Sequence, residues 1–459
     1  MVRDALKVMT VTLSTLLLLG TQASAADGDP LKAVTEFMPT CAPRFSELDT
    51  QVEKAKVGDA TYLKIDGFPY LRTDRMLASF DEELKDIEVY DTWLLALRDN
   101  DSYARRIELD NLGMSLNERS SAVSDMRLCA VWLSFFDLSD PERLEELLAA
   151  VSKAKATAHL QAQTPAPLPD PSPRSGELTQ LTAIVGEAID DALKNFALMP
   201  RDSLSRTGFT DDGWLALAAH HAPTWLIEKA DKGDRPGAVR VNEGNEIVLD
   251  TQTPTVYFMP HFARAGETSL IQFHYFLWFE RDDGQGIDGL IWRVTLDSGG
   301  HPLIYDSLRA DGSDHRWHQA QTLKAKDVLP KNVRVTAPIG TQGAVVTLAP
   351  SGSQVRSVSP RPDAMNAQGV TYRLEPYESL MTLPRPNGGT TSAFDPQGRF
   401  RLMAAGGRVI PQWGSHPPLP LYGLMYDDPH LIEASFELAT SPSSTAAIEP
   451  SARELTRRR

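Results

Sequence analysis

The sequence predicts an α+β protein, with a mostly helical N-terminal half followed by a mostly antiparallel, β-rich half. Two observations carry this prediction. Up to about residue 222, apolar residues recur every three or four positions, as they do on one face of a helix. From residue 223 onward, short β-branched and aromatic segments alternate with Gly, Asn, Asp and Pro, which is typical of strands joined by turns.

The first 25 residues have the pattern of a secretory signal peptide. Arg3 and Lys7 precede a mostly apolar run, and Ala23 and Ala25 stand two apart before a cleavage site at Ala26. The run is shorter than the roughly 20 residues that a membrane-spanning helix needs. We therefore expect a soluble protein in the periplasm or secreted from the cell, with no transmembrane segment after cleavage. An uncleaved membrane anchor is the alternative.

The chain contains two cysteines, Cys41 and Cys129. In an oxidising compartment such a pair is expected to form a disulfide, and two buried free thiols are the alternative.

The formal net charge of −15 disfavours nucleic acid as a partner, because such a surface repels phosphate.

The pattern of residues divides the chain into segments. A helical domain is expected over 26–160; its apolar stripes include the one in DRMLASFDEELKD, and a capping box formed by Ser139 and Glu142 is predicted to begin its last helix. Residues 161–177 contain six prolines and predict a linker or an extended loop. Further helices are predicted over 178–222, with Leu178, Leu181, Val185, Ile189, Leu193 and Phe196 on one stripe. The remaining segments are a β-rich domain over 223–439 and a disordered tail over 440–459.

The segment LIQFHYFLWF, residues 270–279, is the strongest strand prediction in the chain. Side chains in a strand alternate between two faces, so Gln272 and His274 share one face. The opposite face is wholly apolar and is predicted to be core. Two more strands, GLIWRVTLD (289–297) and HPLIYDS (301–307), are predicted to form a hairpin around the turn sequence DSGGHP.

When the apolar faces of these strands are aligned, a row of polar side chains forms on the other side of the sheet. Gln272 and His274 then lie beside Arg293 and Thr295, and either Tyr305 or Asp306 joins them. The candidate ligand-binding residues are Gln272, His274, Arg293 and Asp306. One interpretation is a solvated row or a satisfied network buried under a helix. The other is the floor of a cleft.

Nine of the ten histidines lie at or beyond position 220, and seven of them fall between His220 and His318. Imidazole is a common ligand of zinc and other divalent transition metals. His315 and His318, three positions apart, could bind one such ion if their segment were helical. The sequence names no other cofactor.

Four segments resemble an uncharacterised family of exported proteobacterial proteins of unknown function. They are GFPYLRTDRMLASF (67–80), LIQFHYFLWF (270–279), IDGLIWRVTLDSGGHPLIYDS (287–307) and PQWGSH (411–416). The resemblance implies export but no activity and no catalytic residues. Members tend to carry cysteines before a histidine in the loop after YDS, where this chain has Asp311 and Ser313 before His315. After QWG they tend to show a His-Phe-Asp run, where this chain has Tyr426, Asp427 and Asp428.

Two classes of function follow from these observations. The first is a periplasmic binding or envelope-assembly protein whose β domain offers a polar groove to a peptide, a glycan or a cell-envelope protein. The alternative is a metal-dependent hydrolase that uses the histidine-rich region 261–318. No GxSxG, HExxH or Walker motif is present, which favours the first class.

Overall fold

The structure is a computed structural model that describes residues 38–437 with fifteen gaps. The gaps are residue 60 and residues 162–176, 185–191, 230–234, 266–267, 281–286, 311–313, 321–322, 330–334, 341–342, 350–353, 363–368, 396–398, 405–431 and 433–434. The predicted signal peptide, nearly all of the proline-rich stretch and the predicted tail lie outside the described residues, as do PQWGSH and Asp427.

In the described part of the N-terminal half, four α-helices surround a short hairpin. The helices are α1 (Cys41–Ala55), α2 (Ile87–Asn111), α3 (Leu116–Asp137) and α4 (Pro141–Gln161). The hairpin strands are β1 (Leu63–Ile65) and β2 (Phe68–Thr73), which pair antiparallel. The prediction of a helical first half is therefore only partly confirmed, because a hairpin interrupts it. None of the described helices is both long enough and apolar enough to cross a membrane.

A disulfide joins two of these helices. Cys41 begins α1 and Cys129 lies in α3, with the sulfur atoms 2.10 Å apart and the Cα atoms 5.2 Å apart. Both residues are fully buried in the core that the four helices share with β2. These distances confirm the predicted pairing of Cys41 with Cys129.

The start of α4 differs from its prediction. Pro141 occupies the first helical position, where its fixed φ and missing N–H fit well. Asp140 therefore becomes the capping residue and accepts a hydrogen bond from the Glu142 backbone N–H at 3.0 Å. The Ser139 hydroxyl donates instead to the Phe136 carbonyl. The predicted capping box at Ser139 is wrong, and a capping box is found at Ser115 and Glu118.

Residues Leu178–Ala183 form strand β3, so the helix predicted to begin at Leu178 is wrong there. The strand is held between two neighbours, pairing antiparallel with β4 (Thr224–Glu228) and parallel with β16 (Val370–Pro376). An i, i+3 spacing of leucines suits a helix, but these long-range ladders override it. The later part of 178–222 is helical, in α5 (Ala192–Leu198) and α6 (Asp211–His221).

An eleven-stranded mixed sheet dominates the C-terminal half, in the order β13-β11-β10-β9-β8-β7-β16-β3-β4-β14-β15. Strands β7 to β11 form a continuous antiparallel run, whereas the pairs β11–β13, β7–β16, β16–β3 and β4–β14 are parallel. The remaining strands of this sheet are β7 (Thr255–Ala265), β8 (Thr268–Glu280), β9 (Ile287–Leu296), β10 (Pro302–Arg309), β11 (Arg316–Ala320), β13 (Val335–Ile339), β14 (Ala344–Leu348) and β15 (Val355–Pro360).

Short strands and one short helix complete the described half. They are β5 (Ala238–Val241), β6 (Ile247–Asp250), β12 (Lys324–Ala325), β17 (Leu383–Pro384), β18 (Thr390–Thr391), α7 (Arg401–Ala404) and β19 (Phe436–Glu437).

Both faces of the central strands are buried. Phe273 and Tyr275 of β8 lie in one core with Trp292 of β9 and with residues of α5 and α6. Phe276 and Trp278, on the opposite face, lie in a second core. The predicted alternation of faces is confirmed, and the face that carries the polar row is as buried as the face that does not.

Gly289 of β9 is a sensitive point of this packing. A Cβ atom there would lie 2.5 Å from Trp278 Cζ3 and 2.7 Å from the Ala310 Cβ, and Trp278 is itself stacked on Phe400 with ring centroids 4.0 Å apart. We expect Gly289→Ala to lower the free energy of unfolding by about 1–3 kcal/mol through overpacking. Denaturant unfolding measures it, with Gly208→Ala as the control, because a Cβ at Gly208 meets no atom within 4 Å. Equal stability of the two variants would contradict this packing.

Candidate functional site

The strand register brings the predicted polar row together. Gln272 lies opposite Thr295 and donates to its hydroxyl at 2.9 Å. His274 lies opposite Arg293, which in turn lies opposite Asp306. Asp306 rather than Tyr305 joins the row, because the Tyr305 ring packs with Trp292 on the other face. Antiparallel pairing on adjacent strands thus places all four candidate residues on one side of the sheet.

A charged network lies at the β10 end of the row. The Arg293 guanidinium donates to Asp306 Oδ1 through Nε at 2.6 Å, and one of its terminal nitrogens forms an ion pair with the same oxygen at 2.5 Å. His315 Nε2 lies 3.1 Å from the same oxygen and 3.0 Å from the Arg293 terminal nitrogen. All three side chains are buried. Such a network is held by mutual hydrogen bonds, because an isolated buried charge is costly.

Two residues extend the row at its other end. Arg75, which follows β2 in the N-terminal half, donates through Nε to the Phe262 carbonyl at 3.2 Å and through a terminal nitrogen to Gln272 Oε1. His261 of β7 lies opposite Gln272. The His261 and His274 ring centroids are 6.3 Å apart. We define the polar cluster as Arg75, His261, Gln272, His274, Arg293, Thr295, Asp306 and His315.

Sequence reasoning missed Arg75 as a member of the cluster. Its neighbours Met76 and Leu77 suggested a helix with a core-facing stripe, and no local pattern reports a bond to a residue 197 positions away. One signal was present: Arg75 is a charged residue beside the apolar run Met76, Leu77 and Ala78. A charged residue among buried apolar neighbours is a candidate partner for a distant polar group.

His274 is the least satisfied member of the cluster. It is completely buried, and neither ring nitrogen has a hydrogen-bond partner among the described residues. The same holds for His261 Nε2 and Asp306 Oδ2. Buried polar atoms are nearly always bonded to protein or to ordered water, and leaving one unbonded costs about 1–3 kcal/mol. The interior of the cluster therefore offers unused hydrogen-bonding capacity.

The cluster is buried rather than open. His261, at 9% exposure, is the most exposed of its histidines. The row is therefore not the open groove that the sequence suggested, because Arg75 and its neighbours from the N-terminal half lie against it.

The proposed pairing of His315 and His318 does not form as expected. It required a helix, but His318 lies in strand β11, opposite Tyr305. The His318 ring packs 5.8 Å from that of Trp292, on the face away from the polar cluster, whereas His315 bonds within the cluster. In the part of the chain that the structure describes, no three His, Cys, Asp or Glu side chains are arranged to hold a metal ion.

Burial shapes the protonation of the histidines. Burial, with the positive charges of Arg75 and Arg293, lowers the pKa of His274 well below its usual value. Burial and Arg75 lower the pKa of His261 in the same way. Burial also lowers the pKa of His221 strongly and that of His318 to about 4. These four imidazoles are neutral in the folded protein at neutral pH.

A dependence of stability on pH follows. In the unfolded chain each histidine takes up a proton near pH 6.5, while the folded chain keeps it neutral. The contribution of these neutral histidines to the free energy of unfolding is therefore fully present above pH 6.5. It is lost as the pH falls toward their folded-state pKa. We expect each of the four histidines to lower the free energy of unfolding by about 1.4 kcal/mol when the pH falls from 7.5 to 5.5.

His274→Phe should reduce the loss of unfolding free energy between pH 7.5 and pH 5.5 by about 1.4 kcal/mol. Urea unfolding at the two pH values measures it. Phe276→Leu, two positions along the same face, removes no titrating group and should lose as much stability as the unsubstituted protein. Equal losses for all three proteins would show that His274 titrates normally.

Comparisons of this chain with protein-family models, with curated proteins and with solved structures found no match.

Proposed function

We propose that this protein is an exported, periplasmic binding or envelope-assembly protein that holds a small polar ligand in the polar cluster. The observation that carries the proposal is His274, which is completely buried with both ring nitrogens lacking a partner in the described structure. His261 Nε2, both ring nitrogens of His274 and Asp306 Oδ2 have no hydrogen-bond partner among the described residues, so these atoms could bond to a ligand. A ligand that bonds to these atoms would remove the cost of leaving them unbonded, about 1–3 kcal/mol each.

Two further observations support the proposal. The first 25 residues have the charge and apolar pattern of a signal peptide, and the Cys41–Cys129 disulfide suits an oxidising compartment. The cluster also lies where the two halves meet, since Arg75 comes from the N-terminal half and its partners from the sheet. Ligand sites are common at such junctions.

Native mass spectrometry of protein purified from the periplasm tests the proposal. The intact mass should exceed that of the polypeptide by one bound small molecule, and denaturation should release it. His274→Phe should lose the molecule. His301→Phe is the matched control, because it makes the same change at an exposed histidine in the β9–β10 turn. A mass equal to that of the bare chain in every preparation would refute the proposal, leaving ordered water as the partner of His274.

Two measurements on the same preparation test the rest of the proposal. N-terminal sequencing should find a chain that begins at or near Ala26; a chain that begins at Met1 would argue against export. Elemental analysis tests the competing metal-dependent hydrolase, which requires a stoichiometric divalent metal.

A further inference from the structure

One side of helix α3 is apolar and partly exposed. The opposite side, which includes Met126 and Cys129, packs into the core of the N-terminal half. Five other apolar side chains of α3 belong to no hydrophobic cluster formed by the described residues, and all are at least partly exposed: Leu128, Val131, Trp132, Phe135 and Phe136. We call these five side chains the aromatic face.

The three rings of the aromatic face contact one another. Trp132 and Phe136 are stacked with ring centroids 6.2 Å apart, and Phe135 meets Phe136 edge to face at 5.3 Å. Phe136 and Leu128 are each about half exposed. Single exposed apolar residues are ordinary on a protein surface, whereas a contiguous group marks a surface that another segment or molecule covers.

The direction of α1 shows which segment approaches the aromatic face. The disulfide holds Cys41 at Cys129, and Arg44 donates to Asp125 at 3.0 Å, so α1 runs antiparallel to α3. The chain that precedes α1 is therefore directed toward the C-terminal end of α3, where the three rings lie. The turn Met38–Thr40, at which the described chain begins, stays close to α3.

The aromatic face also continues the side of α3 on which α1 lies. Asp125 and Cys129 are bonded to α1, and Trp132 and Phe136 follow at spacings of three and four residues. Residues at these spacings form one stripe along a helix. Phe136 lies about 10 Å beyond Cys129 along the axis, because each residue of a helix advances about 1.5 Å. A segment that enters α1 from this direction would pass over both rings.

The residues just before the described chain have a composition suited to covering these rings. Residues 30–37 read PLKAVTEF, and Asp29 before Pro30 is a favourable start for a helix. If these residues are helical, the polar ones fall on one half of the helix and the apolar ones fall on the other: Leu31, Ala33, Val34 and Phe37. Eight helical residues span about 12 Å, which is enough to reach from Cys129 to Phe136.

We propose that residues 30–37 form an amphipathic helical segment that packs on the aromatic face of α3 in the same chain. Leu31, Val34 and Phe37 cover Trp132 and Phe136 and remove both rings from water. The segment thereby fastens the start of the mature chain to the helical half, beside the disulfide. This docking does not depend on the ligand proposed for the polar cluster.

Hydrogen–deuterium exchange, followed by mass spectrometry, tests the docking in the purified protein. The amides of residues 30–37 should exchange at least tenfold more slowly than those of the same peptide in isolation, because docked amides are protected. Replacing Trp132 and Phe136 together by serine should remove most of that protection. Leu198→Ser is the matched control, because Leu198 is an exposed leucine of α5 and lies outside the aromatic face. It should leave the exchange rates of residues 30–37 within about twofold.

Variants of the segment decide the question if the double serine variant of α3 does not fold. Replacing Leu31 and Val34 by serine should speed the exchange of residues 30–37 at least tenfold. It should also raise the fluorescence of a dye that binds exposed apolar surface, because the rings are uncovered. Replacing Lys32 and Glu36 by serine changes the polar half of the same segment and should leave both measurements within about twofold.

Three results would overturn the inference. Rapid exchange of residues 30–37 in a monomeric protein would show that the aromatic face is not covered by this segment. Protection that survives the replacement of Trp132 and Phe136 would place the segment elsewhere on the protein. A dimer that dissociates when both rings are replaced, with residues 30–37 exchanging rapidly, would identify a second copy of the chain as the occupant.

Discussion

Replacing both Cys41 and Cys129 by alanine should lower the free energy of unfolding by about 4–5 kcal/mol. The disulfide closes a loop between residues 88 positions apart, and the chain-entropy model gives a loss of that size when such a loop is opened. Most of the effect arises in the unfolded chain, which gains conformations once the cross-link is gone. The folded state also loses the packing of two sulfur atoms, because both cysteines are completely buried.

Urea unfolding of the oxidised protein and of the double alanine variant measures this effect. The variant should also show a larger dependence on urea, since its unfolded chain exposes more surface. Thiol titration of unfolded, unreduced protein provides the control and should find no free thiol. Two free thiols per chain, or a loss below about 1 kcal/mol, would show that the two cysteines contribute no cross-link in solution.

Arg72→Met should destabilise the protein by about 3–5 kcal/mol. Arg72 is almost completely buried and bonds to Asp101 Oδ1 at 3.2 Å and to Glu108 Oε1 at 2.7 Å, with Asp59 Oδ2 at 3.6 Å. Burial by itself would raise the pKa of Glu108, but Arg72 and Arg105 hold it below its usual value. Methionine fills a similar volume and leaves these carboxylates buried with one guanidinium fewer.

A matched exposed pair provides the control for Arg72. Arg127 bonds to Asp99 at 2.8 Å, and both side chains are about half exposed. Arg127→Met should therefore cost less than about 1 kcal/mol, because exposed ion pairs contribute little. The midpoints of urea unfolding compare the stability losses of Arg72→Met and Arg127→Met. Similar losses for both would show that burial does not make the Arg72 network important for stability.

The strand predictions in the C-terminal half were the most reliable. A strand buried on an aromatic face leaves a period-two pattern that needs no distant information, so 270–279 and the hairpin around DSGGHP were correctly placed. Once these faces were aligned, the register of His274 with Arg293 and of Arg293 with Asp306 followed. The pairing of the only two cysteines followed from their number and from the expectation of an oxidising compartment.

Local patterns failed where a distant partner decided the structure. Leu178–Ala183 had a spacing suited to a helix, yet β4 and β16 bind it as a strand. His315 and His318 could share an ion only on a helix, and pairing with β10 placed His318 in a strand. In each case backbone hydrogen bonds to residues far along the chain outweighed a weak local preference.

The sequence by itself determined which side chains stand together on the central strands, because alternation and turn chemistry are local properties. Only the tertiary structure decided that this polar face is covered and that Arg75 completes it. The burial of this polar face depends on how the N-terminal half packs on the sheet. That packing is the sum of many contacts between residues that are distant in the sequence. The same packing removes His274 from water without a described partner, which is why the candidate site became visible only in three dimensions.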